Sequence, residues 1–276
     1  YNEDMRQGFD FAVNLKKEIG KVNAQLGLMG MVFSSKANKR EEVNEYAYMN
    51  AQGQALDVMR GYVCEGFFTQ EDVDNMKANL SQDDPNFVPN HTFGEIKAGD
   101  LKYKDINGDG KIDSNDQTVL GKWGYSACPF IYGVNLTLNW KQFTLFVAGT
   151  GQMGAKAMMN NDWIYNQSKY TSVVRGRWTP ETAATATYPR LTAKDNTNNF
   201  RNSNFWIYST DRFNLNKVQL TYDMPSSWFE NKVVRGMSVY FLGESLLTLS
   251  KHHKYMDTSY GTPYCRFYNI GLKMKF

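Results

Sequence analysis

The residues with the most chemistry in this sequence lie between Gly99 and Asp116. Asp105, Asn107 and Asp109 occupy alternate positions, Gly110 follows, and Asp113 and Asp116 close the run. That spacing matches ligand positions 1, 3, 5, 9 and 12 of a calcium loop, with Lys111 at the position that offers a backbone carbonyl. Oxygen side chains at every second residue of a tightly wound loop converge on one point. Gly110 permits the sharp turn, and Ile112 pins the loop to a core. Asp116 stands where helix-loop-helix sensors carry Glu, and its shorter side chain predicts a weaker site of the kind found in calcium-rich extracellular surroundings. The expected ion is calcium in a structural role, with magnesium as the competitor. A plain Asx-rich turn without an ion is the simpler alternative.

A loop of this kind needs a scaffold, and the scaffold reads as β-structure. Of the 276 residues 14% are aromatic and 22 are Gly, which favours strands over a helical bundle. The net charge of +3 and the lack of dense Lys/Arg runs exclude a nucleic-acid partner. Cys64, Cys128 and Cys265 are far apart and odd in number, so they make neither a metal motif nor a complete disulfide framework. No apolar run is long enough for a membrane helix. The first residues are neither a start methionine nor a signal peptide, so the chain is expected to be a piece of something longer.

Alternation of apolar and polar residues predicts seven antiparallel strands: Phe9 to Ile19, Val22 to Phe33, Tyr132 to Trp140, Phe143 to Ala148, Phe213 to Tyr222, Met237 to Leu249 and Phe267 to Phe276. Short links at Gly20-Lys21, Lys141-Gln142 and around Pro225 alternate with long ones over 34–130 and 149–205. The first long segment holds a helix-like stretch from Gln70 to Leu80 and ends in the acidic loop. Brief turns at one end and extended loops at the other are the signature of an outer-membrane barrel. Strands of about ten residues suit a tilted crossing, and Trp140, Phe143, Tyr222, Trp228 and Phe276 gather at the short-turn end as an aromatic girdle would. Seven strands cannot close such a barrel, because open edges in lipid are prohibitively costly.

Several ordered motifs carry a family resemblance over nearly the whole chain. The run from Gly61 to Val73 (Gly-Tyr-Val-Cys-Glu-Gly-Phe-Phe-Thr-Gln-Glu-Asp-Val), the run from Gly99 to Gly110, Arg177-Trp-Thr-Pro180, Tyr188-Pro-Arg-Leu191 and Asn204-Phe-Trp206 resemble the C-terminal region of SusC/RagA-type TonB-dependent outer-membrane transporters of Bacteroidetes. The terminal Phe276 resembles the aromatic by which barrel-assembly machinery recognises its clients. The resemblance implies an all-β transmembrane antiparallel barrel, of which residues 1–276 form the C-terminal seven of about 22 strands, with long extracellular loops. It also implies import of oligosaccharides or peptides across the bacterial outer membrane and a SusD-like surface lipoprotein as lid. The remaining N-terminal part of the transporter would carry the plug and the contact with TonB, and outer-membrane lipid would surround the barrel. Cys64 departs from the pattern of its motif.

Enzymatic readings fare poorly. Gly149-Thr-Gly-Gln-Met-Gly154 matches a dinucleotide fingerprint only formally, since no βαβ unit or following acidic strand end accompanies it. His91, His252 and His253 read as surface loop residues, and no Gly-x-Ser-x-Gly elbow occurs. Trp123, Trp163, Tyr165, Trp178 and Trp206 could stack on a substrate or pack the loops on each other, and for any single one of them packing is the favoured role. The alternative to a transporter is a secreted, calcium-stabilised β-sandwich that binds carbohydrate or serves as a surface structural module.

Overall fold

A computed structural model describes residues 1–124, 128–159, 172–192, 196–230, 233–252 and 265–276. Its framework is one seven-stranded sheet made of β1 (Glu3–Ile19), β2 (Val22–Lys39), β3 (Phe130–Trp140), β4 (Phe143–Met153), β5 (Arg212–Asp223), β6 (Gly236–Leu249) and β7 (Phe267–Lys275). Each strand pairs antiparallel with the next along the chain, so the sheet is a simple meander. All seven expected strands are present, in the expected order.

Register fixes the two faces. Directly opposed residues share a face, and one row across all seven strands reads Lys17, Ala24, Leu138, Leu145, Leu220, Phe241 and Ile270. Two residues along lies Ile19, Val22, Trp140, Phe143, Tyr222, Val239 and Leu272. The opposite face carries Lys16, Gln25, Thr137, Phe146, Gln219 and Leu242 in one row, and Asn14, Gly27, Asn135 and Ala148 in another. No second sheet packs on the apolar face among the described residues, and Phe9, Leu15, Phe241 and Ile270 on it remain exposed. That rules out a sandwich, which would bury this face between two sheets.

Aromatic rings mark both borders of the apolar band. At the short-turn end Trp140 stacks on Phe143 at 6.1 Å, and Phe143 lies 4.9 Å from Tyr222. At the other end Phe130 stacks on Tyr132 at 5.4 Å and Tyr132 on Phe213 at 6.2 Å. From Phe130 to Trp140 is about 33 Å of strand, or about 25 Å along the membrane normal at a 40° tilt, the height of an outer-membrane apolar band.

Several strands outrun the alternation that predicts them. β1 starts at Glu3 and β2 ends at Lys39, six residues beyond the expected limits, where their polar ends are joined by a Lys39–Glu3 ion pair of 3.3 Å. The first long connection therefore begins at residue 40 rather than 34. β4 likewise continues to Met153, so the glycines at 149 and 151 lie inside a strand and not in a rim loop. They are small because rings cover them: a side chain at Gly149 would meet Phe213, and one at Gly151 would meet Tyr132. That packing leaves no phosphate-binding turn. Among the described residues no helix is long and apolar enough to cross a membrane.

Candidate functional site

The two long connections are not irregular loops lying apart. They fold together into a compact unit at the long-connection end of the sheet. Within it Val58–Gly61 pairs with Thr118–Lys122, Cys64–Phe67 with Leu101–Tyr103, Asn90–His91 in parallel with Lys111–Ile112, and Lys156–Met158 with Ile207–Ser209. The helix α1 (Gln70–Ala78) starts at a capping box between Thr69 and Asp72 and stops at Asn79, whose φ of +50° ends the helix in the left-handed region. Tyr62, Leu101, Tyr103, Ile112, Met158, Tyr188 and Trp206, drawn from both connections, form one buried cluster.

A polar clasp inside the unit joins the two connections. Asp100 is fully buried; Arg190 lies 2.7 Å from Oδ1 through Nε and donates to Oδ2 from its terminal nitrogen at 3.1 Å. Asn196 and Asn199 donate to the same carboxylate at 2.9 and 2.8 Å. Asn199 also accepts from the amide of Leu101, and Asn198 donates to its carbonyl, so the second connection caps backbone groups of the first. Sequence reasoning passed over these residues, although three Asn within four positions (196, 198 and 199) were a visible signal.

The acidic loop sits on one side of this unit. Asp105 accepts from the amides of Gly108 and Gly110 at 2.7 and 2.8 Å, and both glycines hold the positive φ that the winding requires. Asn107 accepts from the Asp109 amide, Asp109 from that of Lys111, and Asp113 from that of Asn115. Asp116 accepts from the amides of Ile106 and Asp113, both at 2.8 Å, and so ties the two ends of the loop together. Ile112 is buried in the core, as its position in the motif predicts. Asp116 is 0% exposed. Burial raises its pKa and the charge of Asp105 adds to this, against the two amide hydrogen bonds that lower it. Among the described residues no three His, Cys, Asp or Glu side chains come together as a metal cluster. The backbone amides that wind the loop use one lone pair of each oxygen they reach, and the others stay available to a cation.

The aromatic candidates divide. Trp206 is 1% exposed and donates from Nε1 to the Asn199 carbonyl at 2.8 Å, so it is a core residue with no face for a ligand. Trp178 is half-buried against Gly99, and Trp123 is half-buried against the core cluster. Trp163 and Tyr165 lie outside the described residues. His91 is not a surface residue: it is 4% exposed, Nε2 accepts from the Tyr103 amide at 3.0 Å, and Nδ1 faces the Pro89 carbonyl at 3.2 Å. His253 lies outside the described residues. Between α1 and the acidic loop an open cleft of about 720 Å³ is lined by Glu65, Asp72, Asn86, Phe87, Lys102 and Asp105. Its mixed charge, with Phe87 and Tyr103 as its aromatic rings, suits a hydrated ligand better than an apolar one.

The fold has close counterparts among solved structures. A RagAB peptide importer in an open-open state superposes with a TM-score of 0.69 at 15% identity, covering 100% of this chain and 29% of the other. The closed-closed state gives 0.65 at 17%, covering 99% and 30%. In sequence, the TonB-dependent receptor P26 of Formosa agariphila is 34% identical over 158 residues, 55% of this chain and 15% of that protein. In sequence and in fold this chain is similar to part of a TonB-dependent receptor barrel. No family model matches it. The chain spans 15% of the receptor and 29% to 30% of the importer chains that it matches.

Proposed function

We propose that the chain supplies part of the wall and the extracellular loop unit of a TonB-dependent importer in the bacterial outer membrane. One observation carries this reading: an exposed apolar face spans all seven strands between two aromatic belts while the opposite face is largely polar. A continuous apolar face meets lipid, and a polar face suits a water-filled or plugged lumen. β1 and β7 are the edges of the sheet, and in lipid their free backbone groups call for further strands. The cargo is a hydrated oligomer, an oligosaccharide or a peptide, because the open cleft offers carboxylates, amides and lysines. The match to a peptide importer supports the peptide arm through fold alone. A surface lipoprotein would close over the loop unit, and the TonB-linked plug would belong to the rest of the transporter. The test is purification of the whole transporter from membranes in mild detergent, followed by uptake of labelled oligosaccharide and peptide. A lipoprotein that co-purifies, with uptake lost on its removal, is the expected result. A chain isolated without such a partner overturns the assembly.

The acidic loop is proposed to hold calcium through Asp105, Asn107, Asp109, the Lys111 carbonyl, Asp113 and Asp116. Its support is the ligand spacing together with the buried carboxylate of Asp116, whose raised pKa a divalent cation would reverse. The ion would brace the loop unit. Calorimetry on chelated protein is expected to show binding between micromolar and millimolar calcium. Absence of heat at millimolar calcium would leave the loop as a turn held by its own amides.

A further inference from the structure

The short-turn rim carries a group of cations that the transport reading does not use. Lys17 is the only charged residue in its seven-strand row, standing beside Ala24 and Leu138 on the apolar face. A lysine there must run its stem along the apolar surface and carry its ammonium outward past the Trp140 belt. The register that pairs Val22 with Trp140 puts Lys21 and Lys141, the next residues out, on neighbouring turns at the same end of the sheet. Lys141 also lies over the Trp140 ring, its Nζ 5.1 Å from the centroid.

Among the described residues no ion pair neutralises this group. Glu18 pairs with Asn23 on the polar face, and Asp223 is held on that face by the Ser238 hydroxyl. Two ammoniums on neighbouring turns repel one another, and a shared anion removes that cost. Lys141 also holds a φ of +51°, a conformation in which a side chain is uncommon and which Gly20 supplies at the matching place in the neighbouring turn.

We propose that Lys17, Lys21 and Lys141, with the Trp140 indole, bind the phosphate of an anionic phospholipid at the short-turn rim of the barrel. The inference rests on the reading that the apolar face meets a bilayer. The cations stand just outside an aromatic belt, at headgroup depth, where each lysine near an anionic lipid surface is worth roughly fivefold in affinity.

The experiment uses the whole transporter, delipidated in neutral detergent, with native mass spectrometry reading bound lipid. Phosphatidylglycerol is expected to be retained several-fold more than phosphatidylcholine. The K21Q/K141Q double variant is expected to lose about twentyfold of that affinity, and K21R/K141R to keep it. K141G relieves the positive φ, so it stays folded, and it is expected to lose about fivefold. Equal retention of the two lipids, or no effect of K21Q/K141Q in a folded barrel, overturns the proposal. Displacement of the lipid by millimolar inorganic phosphate also overturns it, because the site would then serve free anions. A transporter that stays in water without detergent overturns the bilayer reading itself; one that needs detergent but shows no lipid preference overturns only this inference.

Discussion

His91 illustrates how much a single side chain depends on its surroundings. It lies between the Tyr103 amide and the Pro89 carbonyl, with Phe68 edge-on at 4.8 Å, and burial pushes its pKa down to about 4, with the hydrogen bond to Pro89 opposing and the charge of Lys102 adding. The unfolded chain takes up a proton near pH 6.5 and the folded chain does not until about pH 4, so stability falls as pH drops through that window. The expected loss by pH 4 is about 3 kcal/mol, read by denaturant unfolding across pH, and His91→Gln should remove that slope. From sequence His91 reads as a surface histidine, since what buries it comes from residues distant along the chain. The winding of the acidic loop was legible because the bonds that set it are local, as those of Asp105 with the Gly108 and Gly110 amides are, whereas its bonds to Tyr46 and Tyr48 were not. Trp206 agrees with packing, the favoured role for each loop aromatic, but its partner Tyr188, edge-on at 5.6 Å and 18 positions away in a segment with no periodicity, was not legible.

At the scale of the strand, alternation predicts where a face meets lipid and not where a strand ends. Beyond one register shift between Glu3 and Asp4, Asp4 to Gly8 pair with β2 as regularly as Phe9 to Ile19 do, since ladder hydrogen bonds join backbone groups whatever the side chains. Beyond the aromatic belt both faces meet water, so the pattern lapses while the strand continues. Neighbouring positions on β3 test the assignment of faces. Leu136 opposes Leu26 and Val147 on the apolar face, whereas Thr137 opposes Gln25 and Phe146 on the other. Leu136→Arg is expected to cost about 2–4 kcal/mol in urea unfolding of the reconstituted barrel, and Thr137→Arg much less. Equal costs would mean that the faces are assigned wrongly.

For the molecule as a whole, the sheet and the loop unit obtain their stability differently. The sheet exposes its apolar face and relies on lipid, while the loop unit has a water-excluding core of its own built from two remote connections. Deleting 154–206 removes Met158, Tyr188 and Trp206 from that core and Arg190, Asn196 and Asn199 from Asp100. A buried carboxylate stripped of its partners costs several kcal/mol. The expected outcome is rapid trypsin cleavage within 40–129, with the barrel strands still resistant. Slow cleavage there would mean that the first connection folds by itself.

The backbone bonds between Tyr62 and Asn202, and the bond from the Cys64 amide to Asn204, span about 140 residues. At 5–20 residues per second a ribosome needs roughly ten to thirty seconds to make that stretch. Through that interval Leu101, Tyr103 and Ile112 have been synthesised without the side chains that later cover them. Until residues 154–206 are in place, the first connection is a half-made core whose apolar side chains lack their cover.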